Sequence, residues 1–106
     1  AKYKEAQEVL EEGVAKGAIA PSQTLANDYS IIAQSYYADD KVPQTIDFYT
    51  RASKVGTNGE AALNLAKVLR NEDRLTEAKA AAREALAKGV KKPKDANDIL
   101  ALPGGK

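Results

Sequence analysis

The chain contains no cysteine, histidine, methionine or tryptophan, and only one phenylalanine. Without cysteine there is no disulfide, and without cysteine and histidine the usual zinc ligand sets cannot be assembled. Ser-His-Asp, Cys-His and every other histidine-based proton-transfer arrangement is excluded. Carboxylates, lysine and tyrosine are the groups left for acid–base work, and no spacing gathers them into a constellation. Neither sign of charge dominates. Sixteen Lys+Arg face 15 Asp+Glu, a net charge of +1 over 106 residues, which argues against a basic nucleic-acid surface across the whole chain. No apolar run approaches the about 20 residues that span a bilayer, and no signal-peptide pattern opens the chain. A helical pattern is already running at Ala1, without a methionine, and this reads as a piece of a longer protein whose export signal can lie upstream. The absence of cysteine fits oxidising and reducing compartments alike.

What is present is helical. Ala, Leu, Glu, Lys, Gln and Arg dominate, residues that lose little side-chain entropy in a helix, and no alternating β-branched runs predict strands. Tyr3, Ala6, Val9, Leu10, Gly13 and Val14 recur at helical spacing and predict a buried face for a first helix over Lys2–Lys16, closed by Gly17 in the left-handed position. Ser22 is the expected N-cap of a second helix, Gln23–Ala38. Its apolar face takes Leu25, Tyr29, Ile32, Ala33 and Tyr36, and Asp39-Asp40 breaks it. Pro43 fits the first turn of a third helix ending near Gly56, with Ile46, Phe48, Tyr49 and Ala52 inward. Thr57 and Glu60 have capping-box spacing for a fourth helix, Gly59–Asn71, with Ala62, Leu65, Ala66 and Leu69 as its stripe. A fifth runs over Leu75–Lys88 with Ala78, Ala82, Ala85 and Leu86 inward, closed by Gly89. Pro93 opens a short sixth through Leu102, and Pro103-Gly104-Gly105 is expected to fray.

The helix pairs repeat. Ala-Lys-Gly stands at 15–17 and at 87–89, with Ser53-Lys54-Val55-Gly56 as a looser copy. Superposing pairs gives a period of 33 between the two complete units and about 39 before them. Periods in this range built from helix pairs indicate a solenoid. Asn64-Leu65-Ala66 and Glu77-Ala78 in one unit, with Tyr29, Ile32-Ala33, Tyr36-Tyr37 and Tyr49 in the other, resemble the tetratricopeptide repeat family. Ala33, Ala66 and Ala78 would be small because adjacent helix backbones come close there. The resemblance implies an all-α right-handed superhelix of stacked antiparallel helix pairs. Residues 1–17 hold the second helix of a partial repeat, 22–56 and 57–90 are repeats, and 93–102 is a partial or capping helix, all within one domain. Several positions depart from the family pattern. Thr45 replaces alanine, Thr57 and Val90 replace the usual proline, Ala62 and Ala82 replace aromatics, and Asn97 falls where a large residue is usual. The stretch from Ile46 to Gly56 is also similar to the Sel1 branch of helical repeats, and a plain helical bundle remains a further alternative. Leu86 to Pro93, with the Pro21 insert, resembles bacterial tetratricopeptide proteins associated with the TonB energy-transduction system. That likeness implies a periplasmic accessory protein; without it a cytoplasmic location is the expectation.

By the same resemblance, the first helix of each unit would line a concave groove. One unit would contribute Asn27, Ser30, Gln34 and Tyr37, and the other Glu60, Leu63, Lys67, Arg70 and Asn71. Amide and hydroxyl groups can bond a peptide backbone while Leu63 holds one apolar side chain; the alternative is that these are the solvated sides of amphipathic helices. Lys67 and Arg70 share a face and can grip a carboxylate, but Leu63 stands where the carboxylate-clamp members place a lysine, so a solvated cationic patch is the favoured reading. Lys88, Lys91, Lys92 and Lys94 lack interleaved aromatics for nucleic acid and suit a helix C-terminus. Asp39-Asp40 has too few ligands for calcium. Tyr36 is expected in the core and Tyr37 on the groove. The sequence therefore points to a non-catalytic protein-interaction module without cofactor or metal, taking up a segment of another protein. Its rival is self-assembly through the end helices into a scaffold, again as an accessory of a periplasmic complex. Nucleic acid and direct membrane insertion are not expected.

Overall fold

The computed structural model describes residues 2–17 and 20–105, with side chains from Gln7 onward apart from the same gap. Among the described residues there are six helices and no strand: α1 (Lys2–Ala15), α2 (Gln23–Ala38), α3 (Val42–Val55), α4 (Glu60–Asn71), α5 (Leu75–Lys88) and α6 (Pro93–Leu100). The chain divides into two compact units, Ala1–Gly56 and Thr57–Lys106.

In the first unit, α2 and α3 form an antiparallel hairpin. The Ser22 hydroxyl oxygen accepts the Leu25 N–H at 3.1 Å and caps α2, satisfying one of the donors a helix start leaves open. The expected apolar face of α2 is buried throughout, from Leu25 to Tyr36. α3 answers with Thr45, Phe48, Tyr49 and Ala52. Phe48 sits 5.9 Å from Tyr29 and 5.7 Å from Tyr36, centroid to centroid. The buried Thr45 hydroxyl donates to Lys41 O at 2.9 Å and that of Ser53 to Thr50 O, also at 2.9 Å, so neither is left unsatisfied.

α1 departs from expectation. Val9 and Val14 were expected on a buried face, yet they are 68 % and 39 % exposed. Leu10 and Gly13 of the same stripe are half-buried, and beside them Gln7 and Glu11 are met by a hydroxyl and a guanidinium. Tyr3 and Ala6 of the expected stripe lie outside the described side chains. Gly17 does adopt the left-handed conformation, at φ +70°.

In the second unit α4 packs on α5, and α6 packs on both. Here the core is alanine and leucine: Ala62, Leu65, Ala66 and Leu69 from α4, Ala78, Ala82 and Ala85 from α5, and Ala96 and Ile99 from α6. The capping box is corrected. The N-cap of α4 is Gly59, without a side-chain cap bond, and Asn58 Oδ1 accepts the Glu60 N–H at 3.0 Å. The reason is close approach. The Gly59 N–H donates to Gly89 O at 2.8 Å, and a Cβ at Gly59 would lie 2.1 Å from Ala85 O. The chain is thus pinned to the end of α5 at the residue that starts α4.

The expected fraying after α6 is also corrected. α6 ends at Leu100 rather than Leu102, and the residues that follow fold back on α5. Lys79, only 7 % exposed, donates from Nζ to the carbonyls of Leu102 and Gly104. Gly105, at φ +61°, lies so close that a Cβ would come within 2.8 Å of the Leu75 backbone. A buried ammonium needs acceptors, and the returning segment supplies them.

The two hairpins share one register. α5 repeats α3 at an offset of 33 residues, Val42 to Leu75 and Val55 to Lys88, and Ala38 and Asn71 end α2 and α4 at the same offset. Both turns place an aspartate in the left-handed region, Asp40 at φ 59° and Asp73 at φ 58°. Their hydrogen bonds also coincide. The Lys41 and Arg74 N–H groups each reach 2.9 Å to Tyr36 O and Leu69 O, and the Asp40 and Asp73 N–H groups each reach 3.1 Å to Tyr37 O and Arg70 O.

Candidate functional site

Asn27, Ser30, Gln34 and Tyr37 are spaced three, four and three residues apart, which places them along one side of α2. Asn27, Gln34 and Tyr37 are exposed and Ser30 is half-buried. Two of these polar groups have neighbours within the unit. Asn27 Oδ1 accepts from Gln23 Nε2 at 2.8 Å. The Tyr49 phenol is pushed above its ordinary value by burial, with Gln34 opposing and nearby Tyr37 supporting that shift by smaller amounts. The sequence reading missed Ile31, which lies among these residues and is 59 % exposed. An isoleucine flanked by polar residues at helical spacing was the available signal. The strip so formed offers amide and hydroxyl groups around an apolar side chain and an aromatic edge.

In the second unit, Glu60, Leu63, Lys67 and Arg70 stand 33 residues after those four positions, on α4. Their situation differs. Leu63 is 5 % exposed, so it offers almost no side-chain surface of the kind expected of an apolar groove centre. Lys67 Nζ is paired with Asp95 Oδ2 of α6 at 3.1 Å, and this bond with its charge holds the Asp95 carboxyl below the ordinary range, helped by Lys92 and Lys94. Glu60 Oε2 accepts the Lys91 N–H at 3.4 Å. Arg70 is half-buried and Asn71 exposed. The acid-gripping role considered for Lys67 is thus met by a carboxylate of the same unit. The two strips are described unit by unit, and α2 carries the more open one.

The chain matches no known protein family, no curated protein and no solved structure. Function must therefore be argued from the residues. Among the described residues no group of three or more Asp or Glu is placed to hold a metal ion, and no helix is long and apolar enough to cross a membrane. Of the basic run only Lys88 lies at a helix C-terminus, where it pairs with Glu84 at 3.7 Å; Lys91 and Lys92 precede α6, and Lys94 lies in its first turn and pairs with Asp98 at 3.8 Å. Such exposed pairs contribute little to stability. Asp39 and Asp40 form the polar turn between α2 and α3.

Proposed function

We propose that this chain is a non-catalytic protein-binding module of the tetratricopeptide-repeat type, a short right-handed superhelix that takes up a segment of another protein on the first helices of its hairpins. The observation that supports this most directly is the shared register of the two hairpins, down to the left-handed aspartate in each turn. Tandem helix pairs of one geometry are the building unit of solenoids, whose rigid helices present side chains for binding at little ordering cost. The strip on α2 is the receiving surface we assign. Its amides and hydroxyls bond an extended backbone, while Ile31 and Tyr37 cover an apolar side chain.

Selection of a random peptide library against the intact chain tests this. Peptides that bind wild type are expected to lose at least about tenfold in affinity on Ile31→Asp and on Tyr37→Ala, the size of loss typical when a side chain that anchors an interface is removed. Helicity should be unchanged, since both side chains are exposed. A library that yields no binder, or binders indifferent to both substitutions, would overturn the assignment.

A further inference from the structure

α1 is held differently from the other five helices. None of its described side chains is buried, whereas each of the others buries at least two. Among the described residues, two polar anchors fasten it. The Tyr36 hydroxyl donates to Gln7 Oε1 at 2.6 Å, and Arg51 Nη1 donates to Glu11 Oε1 at 2.6 Å. Gln7 and Glu11 are one helical turn apart and present both acceptors on a single face.

The receiving side is built without α1. Asp47 holds Arg51 through two bonds, at 3.4 and 3.0 Å. The guanidinium carbon lies 4.6 Å from the Phe48 ring centroid, and Phe48 stacks on Tyr36 with 21° between the planes. A cation stacked on an aromatic ring and fixed by a carboxylate is already in place for an incoming acid. The hydroxyl donor stands beside it.

We propose that this flank of the first unit, formed by Tyr36, Phe48 and Arg51, is a docking site for an amphipathic helix of a partner protein. That helix carries a neutral hydrogen-bond acceptor and a carboxylate one turn apart, and α1 is the site's intramolecular occupant. The occupant is specified by charge and donor complementarity: one fixed cation and one hydroxyl at the spacing of a helical turn. Tyr36 projects from the side of α2 opposite Asn27, so this surface is separate from the α2 strip and does not depend on it. An occupied site lowers the apparent affinity of any competitor by the fraction of time α1 is seated. Among the described side chains of α1 none is buried, so the two polar bonds to Gln7 and Glu11 govern this fraction.

The test uses the intact chain and a fluorescein-labelled synthetic peptide of residues 2–16, read by anisotropy. Glu11→Ala in the chain weakens the seated helix, and the wild-type peptide is expected to bind this variant about tenfold more tightly than wild type. Adding Arg51→Gln to that variant should abolish the gain, and a peptide carrying its own Glu11→Ala should not bind. Tyr36→Phe, which keeps the stacked ring, should remove a smaller part and serves if Arg51→Gln does not fold. Equal binding to the wild-type and Glu11→Ala chains, no binding to either, or binding that survives both Arg51→Gln and Tyr36→Phe would overturn the proposal. So would concentration-dependent dimerisation of the wild-type chain that Arg51→Gln removes, since the site would then belong to a second copy.

Discussion

The two units fill one helical register with different side chains. The first places Tyr29, Phe48 and Tyr49 where the second, 33 residues on, has Ala62, Ala81 and Ala82, and all six are buried. Other positions are small in both: Ala33 and Ala66, Thr45 and Ala78, Ala52 and Ala85, each 0 % exposed. The turn geometry and hydrogen bonds of the hairpins are the same despite this difference in filling. The lesson is that the small positions set the register, because they lie where helix backbones come close, while the large positions only fill what the spacing leaves.

Breaking the comparison from its aromatic side gives the largest expected effect. Phe48→Ala should cost about 3–5 kcal/mol, as expected for removing a buried ring from a packed core. Chemical denaturation would report it as a lowered midpoint, and the loss of the ring beneath Arg51 should add to it. The small positions should instead behave alike in both units. Ala33→Leu and Ala66→Leu are each expected to destabilise by ~1–3 kcal/mol through overpacking; if one is tolerated and the other is not, the shared-register argument fails for the tolerant unit. The lysine that seats the returning segment has no counterpart in the first unit. Lys79→Met keeps the stem but leaves two carbonyls without their donor, and should lower stability by ~1–2 kcal/mol in thermal melts.

The smallest effect concerns Asp95. Its carboxyl is held low by Lys67, so the pair contributes above the ordinary carboxylate range and is lost only as pH falls through the depressed folded value. A side-chain NMR titration should show the Asp95 midpoint rising toward the ordinary value in Lys67→Met. An unchanged midpoint would mean that Lys67 does not govern it.

Much of the helical framework was legible. Gln23–Ala38 was readable because the Ser22 cap and the apolar stripe agreed, and Leu75–Lys88 because its stripe of alanines runs up to a left-handed Gly89. Ser22, the small alanines and the two-hairpin repeat could be read from local chemistry. The errors share a cause: a group far along the chain took the decisive role. Thr57 and Glu60 have the spacing of a capping box, yet Gly59 is captured by Gly89 O. Lys79 finds its acceptors 23 and 25 residues away, and a lysine that bonds carbonyls leaves no trace in side-chain spacing. The Gly104-Gly105 pair was the one available hint, since left-handed backbone and close approach both favour glycine. α1 was misjudged at Val9 and Val14, which obey helical periodicity yet stay exposed, while Gln7 and Glu11 are drawn in by polar partners. Asn27, Ser30, Gln34 and Tyr37 were assigned to one side of α2 through the repeat, and the exposed Ile31 among them was overlooked.

The sealed amine of Lys79 has a practical consequence. Acylating reagents attack the neutral, solvent-reachable form of a lysine, and this one is shielded while its protons are occupied by two carbonyls. Exposed lysines such as Lys54 and Lys94 should react first, leaving Lys79 unmodified and still open to trypsin, as Arg83 of the same helix is throughout. The mass spectrum of a briefly labelled sample would therefore serve as a gauge of how firmly the last residues are closed down, without any mutation or probe attached to them.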